Sequence, residues 1–298
     1  MKQKRCLIAG LPYAGKSTYL GALWYVVNNA SIKDTFALKA SESNPPEDVE
    51  QLTALSRRWM RVEDMERTSM DVSNNICFNL TPIGGGEDFE LYVPDFKGES
   101  VHQIITGNQP KEFDEWCNNS DTLLYMMNEV KPNRFADDYY QDKDEAGGDT
   151  VGQLTAVNVP DFDPKRMPTC AQNMLILRYL TTLKHFSKVV ICLTAWDKVI
   201  TENADTIPED YVREESPALY NFIKYHCSDV VFFGLSAQGK EYEYEDYEEK
   251  GEKLKRVTEA CRKKLQDATR KCERAFVVAG NEKEKNFDIT LPIAELLK

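Results

Sequence analysis

Residues 10–17 read Gly-Leu-Pro-Tyr-Ala-Gly-Lys-Ser, directly after the apolar run Leu7-Ile8-Ala9. Gly10, Gly15, Lys16 and Ser17 fit G-x-x-x-x-G-K-[ST], the Walker A spacing, and the chemistry that spacing serves is phosphate binding. Backbone amides of a loop that runs into a helix N-terminus form a nest for phosphate oxygens, and the helix dipole adds favourable charge. In this reading the amides of Tyr13, Ala14, Gly15 and Thr18 line the nest. Lys16 reaches the terminal phosphates, and the Ser17 hydroxyl serves Mg²⁺. The stretch Thr18 to Val27 contains Gly21 but no proline and supplies the helix the loop needs.

Three later segments narrow the chemistry. FELYVPDFKGES ends a strand-like run in Asp95-Phe-Lys-Gly98, a D-x-x-G pattern in which Asp95 holds Mg²⁺ through water and the Gly98 amide senses the γ-phosphate. The wholly apolar Val189-Val-Ile-Cys-Leu193 ends in Thr194-Ala195-Trp196-Asp197. A carboxylate such as Asp197 accepts from both N1–H and the exocyclic amine of guanine, a donor pair that adenine lacks. The run Val230 to Leu235 ends in Ser236-Ala237-Gln238-Gly239-Lys240. All four segments fall at strand ends, where ligands of open α/β sheets bind.

Together GLPYAGKS, DFKG, TAWD and SAQG resemble the TRAFAC class of Ras-like GTPases. The opening AGLPYAGKSTYLGALW, the ERTS and DFKGE segments and the late FDITLPI look closest to the bacterial double-GTPase families. The resemblance implies GTP or GDP as ligand with Mg²⁺. TAWD then stands for the [NT]-K-x-D box, with Ala195 where that class carries a lysine, so Trp196 or another side chain is left to stack on the base. SAQG stands for the S-A-[KLQ] box, in which an amide near Ala237 donates to guanine O6. A switch threonine for Mg²⁺ is expected between Asn29 and Asn75, from Thr35, Thr53 or Thr68. Thr68 is favoured because it precedes the alternating run Asn75–Thr81. Arg67 beside it is a candidate arginine finger in cis. Glu99 stands where such enzymes carry a water-orienting glutamine. A carboxylate there can act as a base but repels the γ-phosphate, which predicts slow hydrolysis. Those families have been proposed to act in bacterial conflict or defence, which implies a switch acting on a protein effector or regulator.

The elements that must position these residues read as an α/β fold: three layers of the P-loop GTPase type, with a mostly parallel central sheet, one β-hairpin and long insertions. The hairpin joins Asn75–Thr81 to FELYV through Gly84-Gly85-Gly86. Ser120–Met127 reads as a buried strand, and 169–186 and 217–225 as helices. A single domain over 1–298 is expected, with insertions at about 30–72, 129–168, 201–216 and 241–252. The stretches 129–168 and 201–216 read as binding loops or partly disordered segments, and 241–252 as a solvated acidic loop. A basic amphipathic helix at about 253–274 carries Val257, Cys261, Leu265, Ala268 and Cys272 toward the sheet.

Composition fits a globular chain: 298 residues, 42% hydrophobic and 29% charged. The 37 Lys+Arg against 49 Asp+Glu, a net charge of −12, argue against a nucleic-acid partner or stable membrane association. That charge is unevenly placed. Residues 129–168, 201–216 and 241–252 carry −4, −5 and −6, whereas 253–274 carry +6. Eight scattered cysteines without a C-x-x-C pair read as buried thiols of a cytoplasmic protein rather than a zinc site. Two other functional classes stay open: a nucleotide-binding scaffold with negligible hydrolysis, and an ATP- or GTP-hydrolysing enzyme acting on a substrate.

Overall fold

The computed structural model describes residues 4–29, 36–46, 49–65, 75–94, 103–104, 106, 111–128, 130–131, 167–249 and 252–298. The first half of the chain runs β1 (Arg5–Gly10), α1 (Lys16–Asn28), β2 (Leu38–Ala40), α2 (Val49–Arg61), β3 (Ile76–Pro82), β4 (Phe89–Val93), α3 (Lys111–Asn118) and β5 (Thr122–Met127). The second half runs α4 (Thr169–Leu183), β6 (Val189–Thr194), α5 (Trp196–Glu202), α6 (Pro208–Glu215), α7 (Pro217–His226), β7 (Val230–Ser236), β8 (Tyr244–Glu249), β9 (Glu252–Val257), α8 (Glu259–Arg270), β10 (Phe276–Ala279) and α9 (Leu291–Glu295).

Eight strands form one sheet in the order β10-β7-β6-β5-β1-β4-β3-β2. The five inner strands β7, β6, β5, β1 and β4 are parallel. Both margins are antiparallel: the β3–β4 hairpin with β2 on one side, and β10 on the other. Alternate residues of the inner strands point to opposite faces, and both faces are buried, which explains their unbroken apolar runs. Ile8, Leu124, Met126, Val190 and Cys192 pack on one face with α1 and α9. Leu7, Leu123, Tyr125, Ile191 and Leu193 pack on the other with α4 and α7. The fold is thus three-layered.

Helix α1 is buried on nearly every side because it lies between the sheet and α2. Gly21 allows that approach: a Cβ there would stand 2.8 Å from the Leu55 carbonyl oxygen. The Tyr19 hydroxyl donates to the Ile289 carbonyl at 2.9 Å, which ties the FDITLPI segment to the same helix. Asp88, just ahead of β4, accepts from Ser41, Thr81, Asn44 and Ser43. Those bonds, Ser41 and Thr81 foremost, hold its carboxyl at about 2. None of the eight cysteines is in a disulfide, and burial pushes the Cys6 and Cys227 thiols up to about 12 and about 11.

Three sequence expectations are corrected, and the expected insertion 30–72 carries elements of its own. The stretch 30–72 contains β2 and the amphipathic α2, whose Leu52, Ser56 and Trp59 face inward at helical spacing. Residues 201–216 are the end of α5 and all of α6, which starts at Pro208 with fixed backbone geometry. The acidic run 241–252 is no loop, because β8 pairs with β9 as an antiparallel hairpin in which Arg256 faces Glu245 at 2.8 Å. Opposite charges across the ladder make so polar a pair of strands compatible with pairing. The basic helix consequently starts later, at Glu259, where the Thr258 hydroxyl accepts from the Cys261 amide. Its Cys261 and Leu265 pack on Val62, Tyr242 and Val257 rather than on the central sheet.

Candidate functional site

Parallel strands end on a common rim, and the loops after β1, β6 and β7 leave from that rim. The 10–17 loop follows β1. Gly10 lies against β5 so closely that a Cβ would stand 2.3 Å from the Met126 carbonyl oxygen. Gly15 caps α1 with φ +82°, a left-handed conformation that glycine adopts without cost. Tyr13 also has positive φ, 66°, and its side chain is 69% exposed, while its carbonyl accepts from Asn128 Nδ2 at 3.1 Å. Ala14 is buried and donates its amide to Leu11 at 3.2 Å. Lys16 Nζ donates to the Gly10 and Leu11 carbonyls at 2.7 and 2.9 Å. Ser17 and Thr18 lie in the first turn of α1, which holds no acidic residue. The loop therefore presents a cation and a helix N-terminus, both suited to phosphate.

Thr194 ends β6 beside this loop. Its Cβ lies 3.5 Å from where a Cβ of Gly15 would stand, and its hydroxyl donates to the Met127 carbonyl at 3.3 Å. Ala195, with φ 53°, caps α5, and Asp197 occupies the first turn of that helix. Ser236, the last residue of β7, donates from Oγ to Asp197 Oδ1 at 2.5 Å and accepts from the Gly239 amide at 3.0 Å. Ala237 between them is buried. The TAWD and SAQG segments are thereby joined through side chains. Asp197, Lys198, Gly239, Lys240 and Lys283 line an adjoining cleft of about 620 Å³.

A model of the Double-GTPase 1 family matches residues 7–296. The chain belongs to that family. It is a P-loop GTPase, and its ligand is a nucleotide. Solved structures with similarity to it include Sup35 complexed with GDP, at 13% identity over 80% of this chain and 38% of that one, with a TM-score of 0.34. The signal recognition particle receptor SRb-GTP/SRX complex from Chaetomium thermophilum is 12% identical over 80% of this chain and 92% of that one, TM-score 0.34. The cytosolic domain of the T. maritima FeoB iron transporter in its GMPPNP form is 14% identical over 80% and 58%, TM-score 0.32. The chain thus spans under two fifths of the Sup35 chain it matches. No curated protein matches it.

Within this GTPase the expected stacking role of Trp196 is corrected. Its indole is fully buried, edge-on to Tyr211 at 5.5 Å, and packed where a Cβ of Gly234 would stand 2.3 Å from the ring. Enclosed between Tyr211 and Gly234, the indole presents no face to a base on the rim. Of the remaining expected residues, Thr53 lies within α2, whereas Thr35, Arg67, Thr68, Asp95, Gly98 and Glu99 lie outside the described residues. Of the residues expected to hold Mg²⁺, Ser17 is the one that lies among the described residues. A hard oxygen beside a phosphate nest fits that ion, which keeps several waters and takes other ligands from carboxylates and substrate phosphates. Asn128 was not legible as a site residue. Its one signal was position, a polar side chain at the end of the strand paired with β1.

Proposed function

We propose that this GTPase is an Mg²⁺-dependent, slowly hydrolysing switch that acts on a protein effector or regulator. The observation that carries the guanine part is the Ser236–Asp197 hydrogen bond, which holds a carboxylate acceptor on the rim that also bears the phosphate loop. In this account the amides of Tyr13, Gly15 and Thr18, with that of Ala14 once it leaves the Leu11 carbonyl, act with Lys16 to bind the phosphates. Bound phosphate replaces the Gly10 and Leu11 carbonyls as partner of Lys16, trading neutral acceptors for charged ones. Ser17, Thr68 and Asp95 would hold Mg²⁺, which supplies charge neutralisation at the transferring phosphoryl group. Asp197 would accept from N1–H and the amine of guanine, while amides near Ala237 donate to O6. Arg67 would stabilise charge that develops in the transition state, and Glu99 would orient water poorly, so turnover is slow.

No described helix is long and apolar enough to cross a membrane. A protein partner in a bacterial conflict or defence system is the setting the family resemblance suggests, and the acidic segments are where its contacts would be sought first. Single-turnover hydrolysis of GTP with and without EDTA tests the enzymatic part. The expectation is phosphate release on a scale of minutes to hours that requires Mg²⁺ and quickens in Glu99→Gln. Fast hydrolysis unaffected by that substitution contradicts it. Complete absence of hydrolysis, with tight nucleotide binding, would favour the scaffold reading, for which Ala195 and Glu99 are the supporting departures.

A further inference from the structure

Two consecutive carbonyls of the base loop are held from outside the nucleotide boxes. Trp59 of α2 donates from Nε1 to the Ala237 oxygen at 2.8 Å, and Arg274, between α8 and β10, donates from Nε to the Gln238 oxygen at 3.1 Å. The two holders are themselves joined. The Arg274 guanidinium lies 4.2 Å from the Trp59 ring centroid and donates to the Trp59 carbonyl. Both side chains are only 2% exposed. Arg274 also donates to the Tyr242 hydroxyl at 2.7 Å and the Thr269 hydroxyl at 3.4 Å. A guanidinium buried among carbonyls, hydroxyls and an indole ring is costly to desolvate, and its hydrogen bonds are what make the burial tolerable. Gly239, at φ +90°, completes the fit, since a Cβ there would meet the Arg274 carbonyl oxygen at 2.4 Å.

A trans peptide directs its C=O and N–H to opposite sides. Fixing the Ala237 carbonyl toward α2 therefore aims the Gln238 amide away from α2. The Gly239 amide is already committed to Ser236, and Ser236 to Asp197. Trp59 also packs on Tyr25 of α1, ring centroids 5.5 Å apart, so the base loop is braced against the helix that carries the phosphate loop.

We propose that Trp59 and Arg274 are specificity-positioning residues: Trp59 orients the 237–238 peptide so that the Gln238 amide faces guanine O6, and Arg274 fixes the adjoining 238–239 peptide with its amide on Ser236, making base selectivity depend on α2. This rests on the guanine reading above. Freed of Trp59, the loop occupies its competent form only part of the time, and apparent affinity falls by that fraction.

The test titrates the full chain, as wild type, Trp59→Phe and Arg274→Lys, with GDP, IDP and ADP in Mg²⁺, alongside thermal midpoints. IDP keeps O6 but lacks the exocyclic amine, so it reports on the loop amides apart from the amine contact of Asp197. Trp59→Phe keeps a ring between Tyr25 and the guanidinium, and it is expected to bind GDP and IDP about tenfold more weakly while ADP changes less than about twofold. Arg274→Lys, with one point donor in place of a fork, should shift the same two nucleotides. If Arg274→Lys does not fold, Trp59→Phe decides alone. Full GDP preference retained in folded Trp59→Phe overturns the proposal, as does equal weakening of all three nucleotides, the mark of a purely structural role. A wild type that does not distinguish GDP from ADP overturns the guanine reading itself.

Discussion

Lys16 shapes the phosphate loop by holding carbonyls five and six residues back in its own loop, whereas the base loop takes its shape from side chains 178 and 36 residues away. The first arrangement is local and exchangeable, because a phosphate can take over the contacts of Lys16. The second is distributed, and on the proposed reading it stays in place when a base binds. One sheet rim thus carries two solutions to preorganisation. On the proposed reading, backbone conformation set by Gly10 and Gly15 serves a ligand part common to all nucleotides, and tertiary bracing serves the part that differs between them.

Breaking the phosphate side should have the largest effect. Lys16→Ala is expected to weaken GTP and GDP roughly a hundredfold, since charge-assisted bonds to phosphate are lost, with the ratio of guanine to adenine affinity preserved; calorimetric titration measures both. Asp197→Asn should act on the other term, lowering GDP affinity about thirtyfold toward that of ADP and leaving ADP itself unchanged. If either substitution alters both terms alike, the two regions are not separable.

Smaller changes sharpen the base side. Gly234→Ala drives a methyl into the Trp196 ring, and overpacking of that kind costs about 1–3 kcal/mol, read as a lower thermal midpoint. Because α5 carries Asp197, GDP should bind less tightly as well. Ala195→Gly relieves a left-handed backbone and should stabilise the fold by about 1 kcal/mol with nucleotide preference intact. Asp88→Asn, distant from both loops, should change neither nucleotide affinity. The Asp88 carboxyl titrates near 2 in the folded chain against an ordinary value of 3.8, so its contribution is complete above about pH 4 and fades as pH falls toward 2. Acid denaturation of the variant should lack that component.

The same contrast explains what the sequence disclosed. The phosphate loop was readable because eight contiguous residues contain its whole logic, and the inner strands because their apolar runs admit only a sheet buried on both faces. The Ser236–Asp197 pairing was partly readable, as two boxes at strand ends. Trp59 and Arg274 were invisible, for nothing in a tryptophan on an amphipathic helix or an arginine in a basic stretch announces a carbonyl in a remote loop. The β8–β9 hairpin was missed for another reason: alternating Glu and Tyr looks like a solvated loop until Lys255 and Arg256 are placed across from it. Trp196 was misread because its neighbourhood in sequence is the base box, while its neighbourhood in space is Tyr211 and Gly234.

The most direct measurement is the affinity of the wild-type chain for GDP against ADP in Mg²⁺. A carboxylate accepting two hydrogen bonds from guanine, with loop amides on O6, predicts a preference of about a hundredfold or more for GDP. Equal affinities would contradict the account, because the braced base loop would then have nothing to read.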